Sequence, residues 1–296
     1  MFENVIGNET IKNILEENIK RNQITHSYLM VGIQGIGKKM IAKEYAKAIL
    51  CLNENKPCNN CKSCIEFNTD NNPDFLCVEP EGNSIKIEQI RKLQKQIQEK
   101  PVVSNRKVYI IDDADLMTKE AQNCLLKTLE EPPEFASIIL IGTNENSFLT
   151  TIKSRCMILH FNRLEDVEVK KYLEQNYDEK NITRGMLDIA SGSIGRAINL
   201  KDKQEQYEKI EQLINSLDKK DLIDIVKSAE ILYKSKDDIN DMLDYANVIL
   251  LRKAKTNYLY TNCIKIVENT KKRLNQNANY DMSIDNMLFK MWEEIN

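Results

Sequence analysis

Four cysteines lie within fourteen residues, at a spacing that suits one metal ion. They are Cys51, Cys58, Cys61 and Cys64, half of the eight cysteines in the 296-residue chain. Two consecutive C-x2-C steps can place thiolates about 3.8 Å apart around an ion, and Cys51 completes a tetrahedron. Since no histidine or water is needed and residues 53–59 are mostly polar, the pattern predicts a closed structural zinc site on a surface loop. An iron–sulfur cluster uses the same four thiolates and stays open as an alternative.

A glycine-rich segment precedes the cysteines and runs Gly32-Ile-Gln-Gly35-Ile-Gly37-Lys38. Glycines in such a segment let backbone N–H groups point at phosphate oxygens, and the lysine adds positive charge near the outer phosphates. The pattern then requires Ser or Thr, whose hydroxyl binds magnesium, but this chain has Lys39. The sequence therefore predicts the shape of a phosphate-binding loop without a working magnesium–ATP site. A glycine turn with no ligand is the alternative.

Two aspartates, Asp112 and Asp113, follow the apolar run 108–111. Asp112 suits magnesium binding, directly or through water. In ATP-hydrolysing proteins the next residue is Glu, which polarises the attacking water, and Asp113 is one methylene shorter. A displacement near 1 Å can cost on the order of 100-fold in rate. The alternative is that both aspartates cap the helix that follows.

Short apolar runs alternate with helical patterns up to residue 161. The runs predict strands at 28–31, 75–78, 108–111, 137–141 and 157–161. This alternation indicates a parallel sheet that binds ligands at the carboxyl ends of its strands. The glycine-rich segment and Asp112 both follow strands, so we expect them to meet at that edge.

The remainder of the chain is predicted to be helical. We expect an α/β core over residues 1–162, a small helical domain over 163–204 and a helical domain over 205–296. No Pro or Gly follows Gly195, which suits a helical bundle. Three apolar helical faces are predicted there: Ile210, Leu213, Ile214 and Leu217; Met242, Ala246, Ile249 and Leu250; Ile284, Met287, Leu288 and Trp292.

Composition is typical of a soluble protein, with 42% hydrophobic residues and a net charge of −3. This charge gives no general attraction to nucleic acids. The N-terminus lacks secretory features and apolar runs such as 138–141 are too short to span a bilayer, so we expect a cytoplasmic protein. Cysteines there bind metals or are buried more often than they form disulfides. Those outside the cluster are predicted to be core thiols: Cys77, Cys124, Cys156 and Cys263.

Taken together, the motifs resemble the clamp-loader branch of the AAA+ ATPases along the whole chain. In order, they are His26-Ser-Tyr-Leu29 and the glycine-rich segment, the cysteine cluster, Ala114-Asp115-x-Met117, the Leu-Leu-Lys-x-Leu-Glu-Glu-Pro-Pro segment at 125–133, and Ser154-Arg155-Cys156. The resemblance implies an AAA+ core, a small helical lid and a helical collar that joins five subunits in a ring.

Within that branch, the sequence looks most similar to the delta prime subunits of bacterial DNA polymerase III. The ATP-hydrolysing tau/gamma subunits keep Ser or Thr where this chain has Lys39, and Glu where it has Asp113. The resemblance implies a stator that does not hydrolyse ATP and that helps load the sliding clamp onto primed DNA during replication. Its partners would be tau/gamma and delta subunits in a hetero-pentameric ring. A tau/gamma-type motor is the alternative, and Lys39 and Asp113 argue against it.

The resemblance also implies roles for individual residues. Arg155 of the Ser-Arg-Cys triplet would reach the ATP site of a neighbouring subunit as an arginine finger, although taken alone it could pair with a local carboxylate. Whether ATP or ADP binds this chain's own degenerate nucleotide site without hydrolysis stays open. The residues of that site would be Gly32, Gly35, Gly37, Lys38, Asp112 and Arg196.

Overall fold

A computed structural model describes residues 1–2, 5–177, 184–201, 204–219, 221–228, 230–276 and 278–296. The chain divides into two compact units, one of Met1–Lys180 with Ser191–Gly195 and one of Asn181–Ala190 with Arg196–Asn296. This division is coarser than the three predicted domains, whose boundaries at 162 and 204 stay predictions. Within the described ranges, none of the helices combines the length and apolar character needed to cross a bilayer.

The first unit is built on a five-stranded sheet in which every pairing is parallel. The spatial order is β2-β3-β4-β1-β5. The predicted parallel sheet is confirmed, and the predicted strand ends agree with the observed ones to within one residue. The strands are β1 (Ser27–Val31), β2 (Phe75–Val78), β3 (Lys107–Ile111), β4 (Ala136–Gly142) and β5 (Met157–His160).

Both faces of the sheet are buried, which explains why its central strands are continuously apolar. Alternate residues of β1 belong to different cores: Tyr28 and Met30 to one, Leu29 and Val31 to the other. Helices α1 (Glu9–Lys20) and α2 (Lys38–Leu50) cover the first face, and α4 (Ile87–Ile97) and α5 (Lys119–Glu130) cover the second. The other helices of this unit are α3 (Lys62–Asn68), α6 (Thr150–Lys153) and α7 (Asp166–Tyr177).

The residues predicted to bind phosphate and magnesium lie at the carboxyl ends of the strands. Asp112 follows β3, and the glycine-rich segment begins at Gly32 directly after β1. The N–H of Gly32 donates to the carbonyl of Gly142, the last residue of β4, at 3.3 Å. The prediction that the glycine-rich segment and Asp112 share one edge of the sheet is confirmed.

The second unit consists of helices joined by turns and short loops, with no strand among its described residues. The predicted apolar faces are buried, except that Trp292 is half-buried. Its helices are α8 (Arg184–Ala190), α9 (Ile194–Lys201, which starts in the first unit), α10 (Gln204–Asn215), α11 (Leu222–Ser228), α12 (Glu230–Lys234), α13 (Ile239–Ala254), α14 (Tyr260–Asn275) and α15 (Tyr280–Ile295).

Candidate functional site

The glycine-rich segment forms a tight turn between β1 and α2. Gly35 has φ 77° and Gly37, the N-cap of α2, has φ 93°, in the left-handed region that favours glycine. At Gly32 a Cβ would lie 2.8 Å from the Cβ of Phe161 and 2.9 Å from its carbonyl oxygen. All three positions therefore favour glycine, and the turn has the predicted shape of a phosphate-binding loop.

Lys38, the first residue of α2, turns its ammonium group back onto this loop. Its Nζ donates to the carbonyl of Gly32 at 2.6 Å and to that of Ile33 at 2.8 Å. Burial lowers the pKa of Lys38, and attraction to nearby aspartates, Asp115 foremost, offsets part of that effect. In a phosphate-binding loop this ammonium group would contact the outer phosphates, but here it is hydrogen-bonded to carbonyl groups of the loop itself.

Lys39 forms an ion-pair bridge between two strand ends. Its Nζ lies 2.7 Å from Oδ2 of Asp112 and 2.5 Å from Oε1 of Glu79, which directly follows β2. Burial alone would lower the pKa of Lys39, but the hydrogen bonds to both carboxylates raise it well above its usual value. A fixed cation therefore neutralises Asp112, the carboxylate predicted to hold magnesium. Glu79 was not predicted, although its place after a strand was the available signal.

The side chain of Asp113 does not cap a helix. The residue has φ 45° and its side chain makes no capping hydrogen bond to the short turn that follows, while α5 is capped by Thr118, which accepts from the N–H of Ala121. Burial, followed by repulsion from Asp112 and Asp115, raises the pKa of Asp113. The alternative that both aspartates serve as caps therefore fails for Asp113.

Asp115 and Thr143 form a second polar contact at the same edge. Thr143 follows β4, and its Oγ1 and N–H donate to Oδ2 of Asp115 at 2.6 and 3.1 Å. The other carboxylate oxygen of Asp115 is buried without a hydrogen-bond partner among the described residues. Sequence reasoning missed Thr143, since a single threonine after a strand is a weak signal.

Residues 191–195 contact the phosphate-loop turn directly. The N–H of Gly195 donates to the carbonyl of Gly35 at 2.9 Å, and Oγ of Ser193 donates to the carbonyl of Gln34 at 2.8 Å. A Cβ on Gly195 would lie 2.9 Å from Cα of Gly35. The close approach of the two backbones therefore requires glycine at position 195. Both bonds stiffen the turn from outside.

Arg196 pairs with two carboxylates of the second unit. Its Nη2 lies 2.9 Å from Oδ2 of Asp244 and 3.3 Å from Oδ1 of Asp241, both on α13. Lys271 of α14 also pairs with Asp244. Burial opposes the charge on Arg196, but the hydrogen bonds to both aspartates raise its pKa. The nucleotide-binding role of Arg196 stays a prediction.

Arg155 is held by three contacts near the surface of the first unit. Its Nη2 lies 2.6 Å from Oε1 of Glu130, the last residue of α5. Its Nη1 donates to the carbonyl of Thr151 at 2.8 Å and to Oγ of Ser154 at 3.2 Å. The side chain is still 32% exposed. Pairing with a local carboxylate was the alternative given for Arg155, and Glu130, a residue of the 125–133 segment, is that carboxylate.

The four clustered cysteines converge as their spacing predicts. Their Sγ atoms all lie within 4.8 Å of one another. Backbone N–H groups also point at the sulfurs: Cys58 N–H to Sγ of Cys51 at 3.4 Å, and Cys61 N–H to Sγ of Cys58 at 3.3 Å. Four thiolates with N–H···S support are the donor set of a closed metal site. The cluster could therefore hold a metal ion.

The thiols of the cluster have unequal environments. Burial raises the pKa of Cys64 to about 12. Burial acts in the same sense on Cys58, but hydrogen bonds from the N–H groups of Asn60 and Cys61 lower its pKa to about 6. Outside the cluster, only Cys263 is fully buried among the four predicted core thiols. The other three are half-buried and pack against the two hydrophobic cores, so they lie at the edge of the core: Cys77, Cys124 and Cys156.

A buried hydrogen-bond network joins the cysteine segment to the sheet. Ser63 of α3 is 2.9 Å from Oγ of Ser104, whose hydroxyl donates to the carbonyl of Leu50 at 2.8 Å. Asp74, just before β2 and 1% exposed, accepts from three consecutive N–H groups, ending with Ser104 at 2.7 Å. The carboxylate of Asp74 thereby fixes the loop that holds α3.

Replacing Asp74 by Ala is expected to lower the free energy of unfolding by about 3–5 kcal/mol, because three backbone donors lose a charged acceptor. Chemical denaturation measures this difference. Asp70→Asn is the matched control: its side chain is 80% exposed, and we expect a change below about 0.5 kcal/mol. An Asp74→Ala variant as stable as the parent would show that this carboxylate does not anchor the loop.

The sheet order and its polar edge define the class of protein. A phosphate-loop turn after β1, carboxylates after β3 and a polar residue after β4 on a β2-β3-β4-β1-β5 sheet form an α/β AAA+ P-loop core, here followed by helices. In overall fold the chain is similar to a DNA polymerase III gamma subunit-related protein from Thermotoga maritima. The TM-score is 0.51 at 18% identity, covering 95% of this chain and 99% of that one.

The family follows from the sequence of this core. A model of the family described as DNA polymerase III, delta subunit, matches residues 7–165, more than half of the chain. The chain belongs to this family.

Individual relatives include both kinds of subunit expected from the motifs. DNA polymerase III subunit delta' of Bacillus subtilis is 34% identical over 196 residues, covering 66% of this chain and 59% of the relative. Subunit tau/gamma of Haemophilus influenzae is 33% identical over 210 residues, covering 68% of this chain and 30% of the relative. Subunit tau of B. subtilis is 30% identical over 283 residues, covering 85% of this chain and 50% of the relative. The chain thus spans between about a third and three fifths of these relatives, and identity is similar for both kinds.

Proposed function

We propose that this chain acts as a delta prime subunit of a DNA polymerase III clamp loader. It serves as a stator in a hetero-pentameric ring with tau/gamma and delta subunits in the cytoplasm. Through that complex it helps load the sliding clamp onto primed DNA, and it hydrolyses no ATP itself. The observation that carries the proposal is the Lys39 ammonium group, 2.7 Å from Asp112 and 2.5 Å from Glu79.

The bridge at Lys39 opposes magnesium binding in two ways. The residue supplies no hydroxyl ligand, and its positive charge lies against Asp112, the carboxylate that a divalent cation would use. A metal ion would have to displace an ammonium group whose pKa is raised by its two partners. Because ATP hydrolysis in P-loop proteins depends on that ion, this arrangement supports a subunit without turnover.

Two further features support a stator over a motor. Asp113 replaces the longer glutamate that would polarise water, and its side chain is one methylene too short to reach the same position. Residues 191–195 are hydrogen-bonded to the carbonyls of Gln34 and Gly35, which favours a fixed loop. Arg155 completes the proposal: in trans it would serve the ATP site of a neighbouring motor subunit.

The ion at the cysteine cluster is proposed to be zinc in a structural role. Four thiolates, three from two consecutive C-x2-C steps and the fourth from Cys51, are a common donor set for structural zinc, and no position is left for a water that could react. When bound, the ion would cross-link the end of α2 to the start of α3. Cys51 closes the helix α2, and Cys61 is the N-cap of α3.

We expect the isolated chain to hydrolyse ATP no faster than a Lys38→Ala control, because metal binding and water activation are impaired together. Lys39→Thr with Asp113→Glu should restore magnesium-dependent nucleotide binding, without full turnover since a neighbour's arginine is still missing. Phosphate release and calorimetric titration of ATP with and without magnesium measure the two effects. Lys43→Thr, which removes a lysine of the same helix that is 3.8 Å from Asp70, is the matched control.

Turnover by the unmodified chain well above the Lys38→Ala control would contradict the stator proposal. That outcome would favour the alternative, a tau/gamma-type motor subunit. A double variant that still binds no magnesium–nucleotide would show that Lys39 is not what excludes the metal ion.

A further inference from the structure

The carboxylate of Glu130 is the one charged contact of Arg155 among the described residues. Oε1 of Glu130 lies 2.6 Å from Nη2 of Arg155, and the two side chains are 48% and 32% exposed. An ion pair this exposed typically contributes only about 0–1 kcal/mol to folding. Stability of the fold is therefore a weak reason for the pairing.

The position of Glu130 on its helix is a second reason why fold stability does not explain this residue. Glu130 is the last residue of α5, and Glu131 is its C-cap. A carboxylate in the last turn faces the negative end of the helix dipole, which costs about 0.3–1 kcal/mol at an exposed position. Placed there, Glu130 destabilises its own helix unless a cation lies beside it. Arg155 supplies that cation.

The three contacts of Arg155 also determine which donors are left. Nη1 donates to the carbonyl of Thr151 and to Oγ of Ser154, and Nη2 donates to Glu130. A guanidinium group carries five N–H donors in a fixed plane. Three contacts within the described chain therefore orient this plane and leave two donors for phosphate oxygens.

We propose that Glu130 is a positioning residue that orients the guanidinium group of Arg155 for a neighbouring subunit's ATP. This inference rests on the trans role of Arg155 proposed above. Glu130 touches Arg155 and not the nucleotide. It limits the rotation of a long side chain before the neighbour docks, so that less conformational entropy is lost when the terminal phosphate is bound.

The test uses loaders reconstituted from the full chain with its cognate delta and tau/gamma subunits, clamp and primed DNA. We expect Glu130→Gln to lower kcat of the stimulated ATPase about 3-fold and Glu130→Ala about 10-fold, which is the range for losing the net contribution of one typical intramolecular hydrogen bond. KM for ATP should change less than about 2-fold, because the contact acts in the transition state. Glu131→Gln, which removes the adjacent exposed carboxylate, is the matched control and should leave both constants unchanged.

A double-mutant cycle separates this inference from the proposed function. Arg155→Ala with Glu130→Ala should be no slower than Arg155→Ala alone, because Glu130 acts only through that arginine. If Arg155→Ala itself has no effect, the trans role fails. If Arg155→Ala slows the loader but the Glu130 variants run at the parent rate, the positioning role alone is overturned. Additive effects, or a faster Glu130→Ala loader, would overturn it as well.

Discussion

An Arg155→Ala chain is expected to fold, bind metal and assemble as the parent does, yet slow the neighbouring ATP site by about 10³-fold or more. During phosphoryl transfer, negative charge on the terminal phosphate must be stabilised, and an arginine supplied by a neighbour provides this in the transition state. Arg155 is near the surface at 32% exposure, which suits contact with another subunit. Single-turnover hydrolysis and clamp loading on primed DNA measure the loss.

Two other variants test whether the loss is specific to the guanidinium group of Arg155. Arg155→Lys should rescue little, because an ammonium group is a point charge and cannot form the bidentate contact of a guanidinium group. Arg21→Ala removes another surface arginine, which lies 3.2 Å from Glu17, and should leave the rate unchanged. If Arg155→Ala loaders work at the parent rate, the residue is a local ion-pair partner and the trans role is wrong.

The purified chain is expected to carry one zinc ion, and Cys61→Ala with Cys64→Ala should remove it. Structural zinc in peptide fingers has apparent binding free energies of roughly 10–16 kcal/mol. Without the ion, the segment 51–64 should therefore unfold locally. All five strands lie outside this segment, so the sheet is expected to survive. Elemental analysis measures the zinc, and hydrogen exchange compares the segment with the strands.

Cys124→Ser is the control for the zinc prediction, because this thiol lies outside the cluster and contacts Gln94 instead. It should retain one zinc ion and native exchange rates. If the purified protein contains iron and sulfide, the zinc prediction is wrong and the alternative, an iron–sulfur cluster, is supported. Zinc that persists after both cysteines are removed would show that the ion binds elsewhere.

The parallel sheet was predictable because its signal is local. Strands β3 and β4 are short runs that are apolar on both faces, and in a sheet covered by helices on both sides no alternation is required. Turn chemistry was equally local: Gly35 and Gly37 lie at positive φ, where other residues are strained. The cysteine cluster belongs to the same category, since four ligands within fourteen residues restrict one another's positions.

Pairings between charged groups were not predictable in the same way. Lys39 meets Glu79, forty residues away, and Arg196 meets Asp241 and Asp244. The chain has 45 acidic residues, so sequence alone offers many partners for each cation. The spacing of charged residues along the chain follows no register or period, and only packing decides which carboxylate comes within ion-pair distance of a given cation.

By itself, the sequence determined the order of the strands along the chain, the phosphate-loop turn, the convergence of the four clustered cysteines and the helical character of the second half. Each depends on neighbours within one element or turn, where backbone geometry limits the possible arrangements. Only the tertiary structure decided that Lys39 neutralises Asp112 and that Glu130 holds Arg155. These contacts join ends of separate elements, and their distances are set by how the sheet and its helices pack.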